Sequence, residues 1–191
     1  NNRFEIGTST GAIPIAIGAS GAGMHLSNAD LSQIIAPALR LGVTQSAAIT
    51  VDGLLIGSTT PITGPIEILA TGNGGSIEFV NNPSQFENLS AQADDFIRVL
   101  VTPPGTDLFT TTGDLTLTAD TDAATDTLDA IILGPGVALR SGGDLTLGAT
   151  TGGIQSSGAV TLSAVGSITL NSGIDAGALT LEAQDGLTIS E

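Results

Sequence analysis

The sequence predicts an all-β chain, a right-handed parallel β-helix (β-solenoid) with a short helical or loop excursion near 82–96. Three observations carry this. First, the C-terminal third repeats one phrase: Gly143-Asp-Leu-Thr-Leu, Gly158-Ala-Val-Thr-Leu, Gly166-Ser-Ile-Thr-Leu, Gly177-Ala-Leu-Thr-Leu and Asp185-Gly-Leu-Thr-Ile. Each copy alternates apolar and polar, the period of a strand with one buried face. Second, the leading apolar positions Val160, Ile168, Leu179 and Leu187 are separated by 8, 11 and 8 residues, so Val160 to Leu179 and Ile168 to Leu187 both span 19. A chain that returns to the same side at a fixed interval, with glycine between strands, is a coil. Third, the hydrophobic fraction is 41% but aromatics are 3%, with 26 Gly and no Trp, Tyr or Cys. That list suits a narrow core of stacked aliphatics.

The remaining elements follow in order. Ile13-Pro-Ile15-Ala-Ile17 alternates as a strand, and Pro14, lacking a donor, places it at an edge or at its own first rung. Gly18-Ala-Ser-Gly21-Ala-Gly23 reads as a turn; no Lys-Ser/Thr follows it, as a phosphate-binding loop would need. Ser27 and Asp30 form a capping box, with Leu31, Ile34 and Ile35 at helical spacing and Pro37 as the stop. Strands follow at Leu39–Leu41, Ala48–Val51, Leu54–Ile56, Ile66–Ile68 and Ile77–Phe79. Between 82 and 96 the rhythm changes. Ser84-Gln-Phe-Glu87 resembles a second capping box, and Phe86, Leu89, Ala93 and Phe96 fall at helical spacing. Phe86 and Phe96 are therefore candidate binding residues on an excursion from the coil, with a lid over a local core gap as the alternative. Phe96–Val101 is an apolar strand, Pro103-Pro104-Gly105 a turn, and Gly113–Ala119 the first clear copy of the repeat. The whole chain, 1–191, reads as a single solenoid domain of about eight to ten rungs, roughly 40–50 Å long at ~4.8 Å per strand.

Charge narrows the partners. The formal net charge is −15, from 19 acids against Arg3, Arg40, Arg98 and Arg140. Nucleic-acid phosphates and anionic membrane surfaces are repelled, and no apolar run has the length of a membrane span. The absence of Cys excludes a disulfide framework. The chain starts without Met and without a basic leader followed by an apolar core, which reads as a mature or excised part of a longer polypeptide.

The acids themselves cluster. Asp107, Asp114, Asp120, Asp122, Asp126 and Asp129 lie between Arg98 and Arg140 with no base among them. Carboxylate oxygens suit Ca²⁺, which makes Asp120, Asp122, Asp126 and Asp129 the metal candidates. Neither the EF-hand pattern nor the glycine-rich nonapeptide of calcium-binding β-rolls is present, and a solvated acidic loop is the plainer reading. Calcium is thus the one cofactor considered, and none is required. Paired carboxylates also hydrolyse glycosides, but Trp and Tyr platforms are lacking and the arginines are isolated, so no enzyme and no catalytic residue is expected. His25 has no Cys or second His with which to hold zinc, and Asn81-Asn82 and Asn171 suit turn-lining amide stacks.

The Gly-x-Leu/Val/Ile-Thr-Leu copies at 143, 158, 166 and 177 resemble the strand repeats of filamentous-haemagglutinin-type adhesins, the large bacterial proteins exported by two-partner secretion. Leu26-Ser-Asn-Ala-Asp-Leu, with Leu39-Arg-Leu-Gly and Ile49-Thr-Val51, is similar to a unit of giant bacterial β-strand-repeat proteins. The likeness covers roughly 26–81 and 113–190. It implies a structural shaft segment of an extracellular or cell-surface adhesin or fibre, associating with itself through solenoid ends or neighbouring repeats. It carries no functional residue. The alternatives are a module binding a glycan or host protein with a Ca²⁺-assisted acidic face, and, less favoured, a β-helical polysaccharide-degrading enzyme.

Overall fold

The structure is a computed structural model that describes residues 3–45, 47–101, 108–122 and 124–190. The expected turn at Pro103-Pro104-Gly105 and the acid Asp107 lie outside the described residues.

The chain begins with β1 (Phe4–Ile6), β2 (Ile15–Gly18), β3 (Met24–Leu26) and the single-turn helix α1 (Asn28–Leu31). The coil then advances through β4 (Leu39–Val43), β5 (Ile49–Asp52), the short helix α2 (Ile56–Thr59), β6 (Ile66–Ala70), β7 (Ile77–Asn81) and β8 (Ser84–Phe86). Next come β9 (Leu89–Ala93), β10 (Ile97–Val101), β11 (Leu108–Thr110), β12 (Leu115–Ala119), β13 (Ile131–Leu133) and β14 (Ala138–Ser141). The last turns are β15 (Leu145–Ala149), β16 (Ile154–Ala164), β17 (Ser167–Leu170), β18 (Ile174–Ala183) and β19 (Gly186–Ile189).

These strands stack in parallel on three faces. The first face is one sheet of eight strands, in the order β1-β4-β6-β9-β12-β15-β17-β19. The second runs β3-β2-β5-β7-β10-β13 and continues into the first part of β16, where Ile131 pairs with Ile154. The third holds β8, β11 and β14, and β14 pairs with the last part of β16 through Leu139 and Leu162. Thus β16 and β18 each run around a corner as one strand, and the second and third faces merge. In the early coils α2 packs on β8 and α1 on α2, so two helical turns fill the third face where later coils have strands. Eight stacked strands at ~4.8 Å give a parallel β-helix roughly 38 Å long.

The repeat spacing behaves as its sequence demands. Val160 lies beside Leu179 and Ile168 beside Leu187. Inward rows continue through the coil: Leu39, Ile66, Leu89, Leu115, Leu145 and Ile168 adjoin one another in register on the first face. All six are at most 2% exposed. Thr146 and Thr169 between the buried positions stay half-buried on the outside. Each buried Leu or Ile contributes about 1.5–3 kcal/mol relative to exposure, and backbone N–H and C=O groups are satisfied by adjacent coils.

Two local expectations are corrected. The segment 82–96 is not helical: β8 and β9 occupy 84–86 and 89–93 and join the coil in register. The helix-like spacing arises because a sharp corner at Glu87-Asn88 separates two short strands, so inward positions on different faces fall three or four residues apart. Ser84 caps no helix; its Oγ accepts the Leu54 N–H of the preceding coil at 3.2 Å, and the Glu87 carboxylate accepts the Thr111 and Thr112 hydroxyls at 3.0 and 2.9 Å. Leu54–Ile56 is likewise not a strand but leads into α2. The box at Ser27 and Asp30 does cap α1 as expected. The strand after Pro14 is not at an edge but lies between β3 and β5, both parallel to it, with Pro14 just ahead of its first residue.

Candidate functional site

Each coil leaves the first face at a corner, and three successive corners are polar. After β9 come Asp94 and Asp95, after β12 comes Asp120, and after β15 come Thr150 and Thr151. The Asp120 N–H donates to the Asp95 carbonyl at 3.1 Å, which stacks the first two corners. Asp120 has a φ of 52°, a left-handed conformation that Asp tolerates better than most side chains.

Asp94, Asp95 and Asp120 are 3%, 3% and 0% exposed. Asp95 Oδ1 accepts the Leu128 and Asp129 N–H groups at 2.8 and 3.1 Å, which ties the acidic loop over the corner. Asp120 Oδ2 accepts the Thr151 hydroxyl at 2.7 Å and its N–H. Asp94 Oδ2 accepts the Gly74 N–H at 2.8 Å from the preceding coil. One oxygen each of Asp94, Asp122 and Asp126 then converge, all within 4.8 Å of one another. Asp126 Oδ2 and Asp120 Oδ1 are buried without a hydrogen-bond partner.

Burial pushes the Asp94 carboxyl above its usual range. The Gly74 N–H opposes that, while the carboxylates of Asp122 and Asp126 push it further up. No cation offsets this charge among the described residues. Arg3 and Arg40 pair with Glu5 and Glu67, and Arg98 pairs with Glu78. Three converging carboxylates with an orphan buried oxygen favour either a held proton or a hard cation bound through oxygen.

Of the four metal candidates, the fold therefore brings together Asp122 and Asp126. It separates the other two. Asp120 holds Thr151 of the next coil, and both Asp129 oxygens accept the Asp126 N–H at 3.2 Å. The third member, Asp94, was missed because it lies in the segment read as helix. The doublet Asp94-Asp95, directly after the alternating strand Leu89–Ala93, was the available signal.

The aromatic candidates divide as well. Phe86 is 0% exposed and meets Phe79 edge-on at 6.5 Å between ring centroids. It is a core residue and cannot touch a ligand, which corrects its placing as a binding residue. Phe96 is half-buried beneath Arg98, whose guanidinium carbon stands 4.6 Å from the ring centroid. His25 has a ring nitrogen 3.1 Å from the Gly18 carbonyl, inside the N-terminal turn. Asn81 and Asn82 serve a corner of their own, around Asp52.

Compared with protein-family models, curated proteins and solved structures, the chain matches none. No helix among the described residues is long and apolar enough to cross a membrane.

Proposed function

We propose that this chain is a shaft segment of an extracellular bacterial adhesin or fibre, in which length and stiffness are the output and coils stack on one another in register. One observation carries the reading. The inward row is closed in the middle of the coil and open at β18 and β19. Val160, Ile168 and Leu170 are 2%, 0% and 0% exposed, whereas their neighbours Leu179, Leu187 and Ile189 are 36%, 51% and 51% exposed. An aliphatic row presented beside a sheet edge fits one more parallel coil, from the same polypeptide or a second copy. A contact of that kind is heterologous and extends without closing. The surplus of negative charge keeps such a rod from associating sideways. The adhesin assignment is supported by the resemblance of the repeats.

Electron microscopy over a concentration series tests this. The expected result is end-to-end rods that lengthen with concentration and are lost in the double variant Leu187→Asp, Ile189→Asp. Uniform short rods from the unaltered protein at high concentration would sink the stacking.

A second reading, an acidic face that binds Ca²⁺, is favoured by the buried, unpartnered Asp126 Oδ2 beside the carboxylate of Asp94. Added calcium is then expected to raise the melting temperature through binding to the folded state. No shift at millimolar calcium would remove it.

A further inference from the structure

A groove of about 610 Å³ runs across the C-terminal coils where the third face turns back to the first. Its wall is a ladder of outward side chains. Phe109 lies beside Arg140, Arg140 beside Ser163, and Ser163 beside Glu182, each in register with the next coil. These positions alternate with the buried Leu108, Leu139 and Leu162, so ring, guanidinium, hydroxyl and carboxylate stand in one row at ~4.8 Å intervals.

Arg140 differs from the other arginines. Arg3, Arg40 and Arg98 are each within 4 Å of a glutamate. Arg140 is exposed and has no such carboxylate among the described residues, in a chain of net charge −15. The corner beside it is held firmly. The Thr110 hydroxyl donates to the Gly113 carbonyl at 2.6 Å, the Ser141 hydroxyl donates to the Asp144 carbonyl at 2.7 Å, and the Gly142 N–H donates to Thr110 Oγ1 at 3.2 Å. The groove therefore keeps its shape without a ligand, which lowers the ordering cost of binding.

We infer that this groove binds a carboxylated saccharide. The planar guanidinium of Arg140 matches a single sugar carboxylate through paired hydrogen bonds. The half-buried ring of Phe109 covers the C–H face of the pyranose. Ser163 and Glu182, one and two coils further, take the hydroxyls of the next residue, and the Glu182 carboxylate is a good acceptor for neutral hydroxyls only. The same Glu182, with the overall negative charge, turns away densely charged polyphosphates. A peptide joining by strand addition needs a free strand edge; β14 and β16, which carry Arg140 and Ser163, are both paired on two sides, and the free edge of β18 lies at the far end of the row from Phe109. The inference is independent of end-to-end stacking and of the acidic corner, and any one of the three can fail while the others stand.

The test is calorimetric titration of the chain with a xylotriose carrying a single glucuronate, its methyl ester, and a tetrapeptide carrying a single glutamate. Binding of the glucuronate-bearing oligosaccharide is expected, about tenfold tighter than the ester. Arg140→Ala and Phe109→Ala are each expected to weaken it about tenfold or more, with Arg140→Lys in between because the paired geometry is lost. Arg140 is exposed, so its variants should melt with the unaltered protein. The inference is overturned if the glucuronate-bearing oligosaccharide fails to bind at millimolar concentration, if Arg140→Ala binds it as well as the unaltered chain, or if the glutamate peptide binds as tightly.

Discussion

Two corners of the coil hide a carboxylate to nearly the same degree and treat it in opposite ways. Asp52 ends β5 and is 2% exposed; Asp94 follows β9 and is 3% exposed. Burial pushes both carboxyls up. At Asp52 the hydroxyl of Ser20 and the side-chain amides of Asn82 and Asn81 outweigh burial and hold the carboxyl below its ordinary value. The Asn82 and Asn81 amides donate at 2.8 and 3.1 Å. At Asp94 a backbone N–H from Gly74 opposes burial, and two further carboxylates reinforce it, so the carboxyl stays raised. What adjoining coils contribute, donors or acids, decides the sign. The Asp52 corner is a closed network, while the Asp94 corner has an unmet demand for positive charge.

The sharpest way to break this comparison is at Asp52. Asp52→Ala removes the shared acceptor of Ser20, Asn81 and Asn82, which are exposed residues, and should cost about 1–2 kcal/mol in urea-induced unfolding. A cost near zero would mean that the network does not close. The opposite sign is expected at the other corner. Asp94→Asn, whose amide can donate to Asp126, should stabilise the chain at pH 7 in chelator by about 1 kcal/mol and remove any calcium-dependent rise in melting temperature.

The pH dependence separates the two corners further. A raised carboxyl binds its proton in the folded state at a pH where the unfolded chain has released it. The stability gained by keeping Asp94 protonated is therefore lost as pH rises through its raised value. The advantage of Asp94→Asn should show at neutral pH and fade on acidification toward about pH 4, the unfolded carboxylate value. Asp52, being depressed, contributes above that value and loses its contribution only as pH falls through its folded pKa. Paired melting curves across this range check both signs. The smallest effect belongs to Asp144, an exposed corner carboxylate that accepts the Ser167 N–H at 2.7 Å and its hydroxyl at 2.8 Å. These two bonds hold it below its ordinary value. Asp144→Ala should move the melting temperature least of the three corners.

The coil was legible where neighbouring turns share one phrase. The repeat with Leu145, Val160, Ile168, Leu179 and Leu187 told which side chains point inward and which strands adjoin. The earlier coils share their rows but not their lengths, since Leu89 adjoins Leu115 and Leu115 adjoins Leu145. The added residues sit at corners, and corners are where the local pattern misled: Phe86, Leu89, Ala93 and Phe96 mimic a helix because they span two bends. Two of the three acids of the site, Asp122 and Asp126, were readable as a run of Asp in one loop. Asp94 was not, because its proximity to Asp126 depends on one full turn of coil between them. For the same reason nothing in the isolated Arg140 pointed to Phe109.

The alternation of apolar and polar residues determined by itself that the chain forms strands with one aliphatic face, because side-chain direction along a strand is a local, two-residue property. Glycine between strands told where the chain turns. Only the tertiary structure decided which corners meet, since that depends on how many residues each turn takes before the backbone regains register. Whether a buried acid finds an amide or another acid is set there, one coil away, where the local sequence has no information.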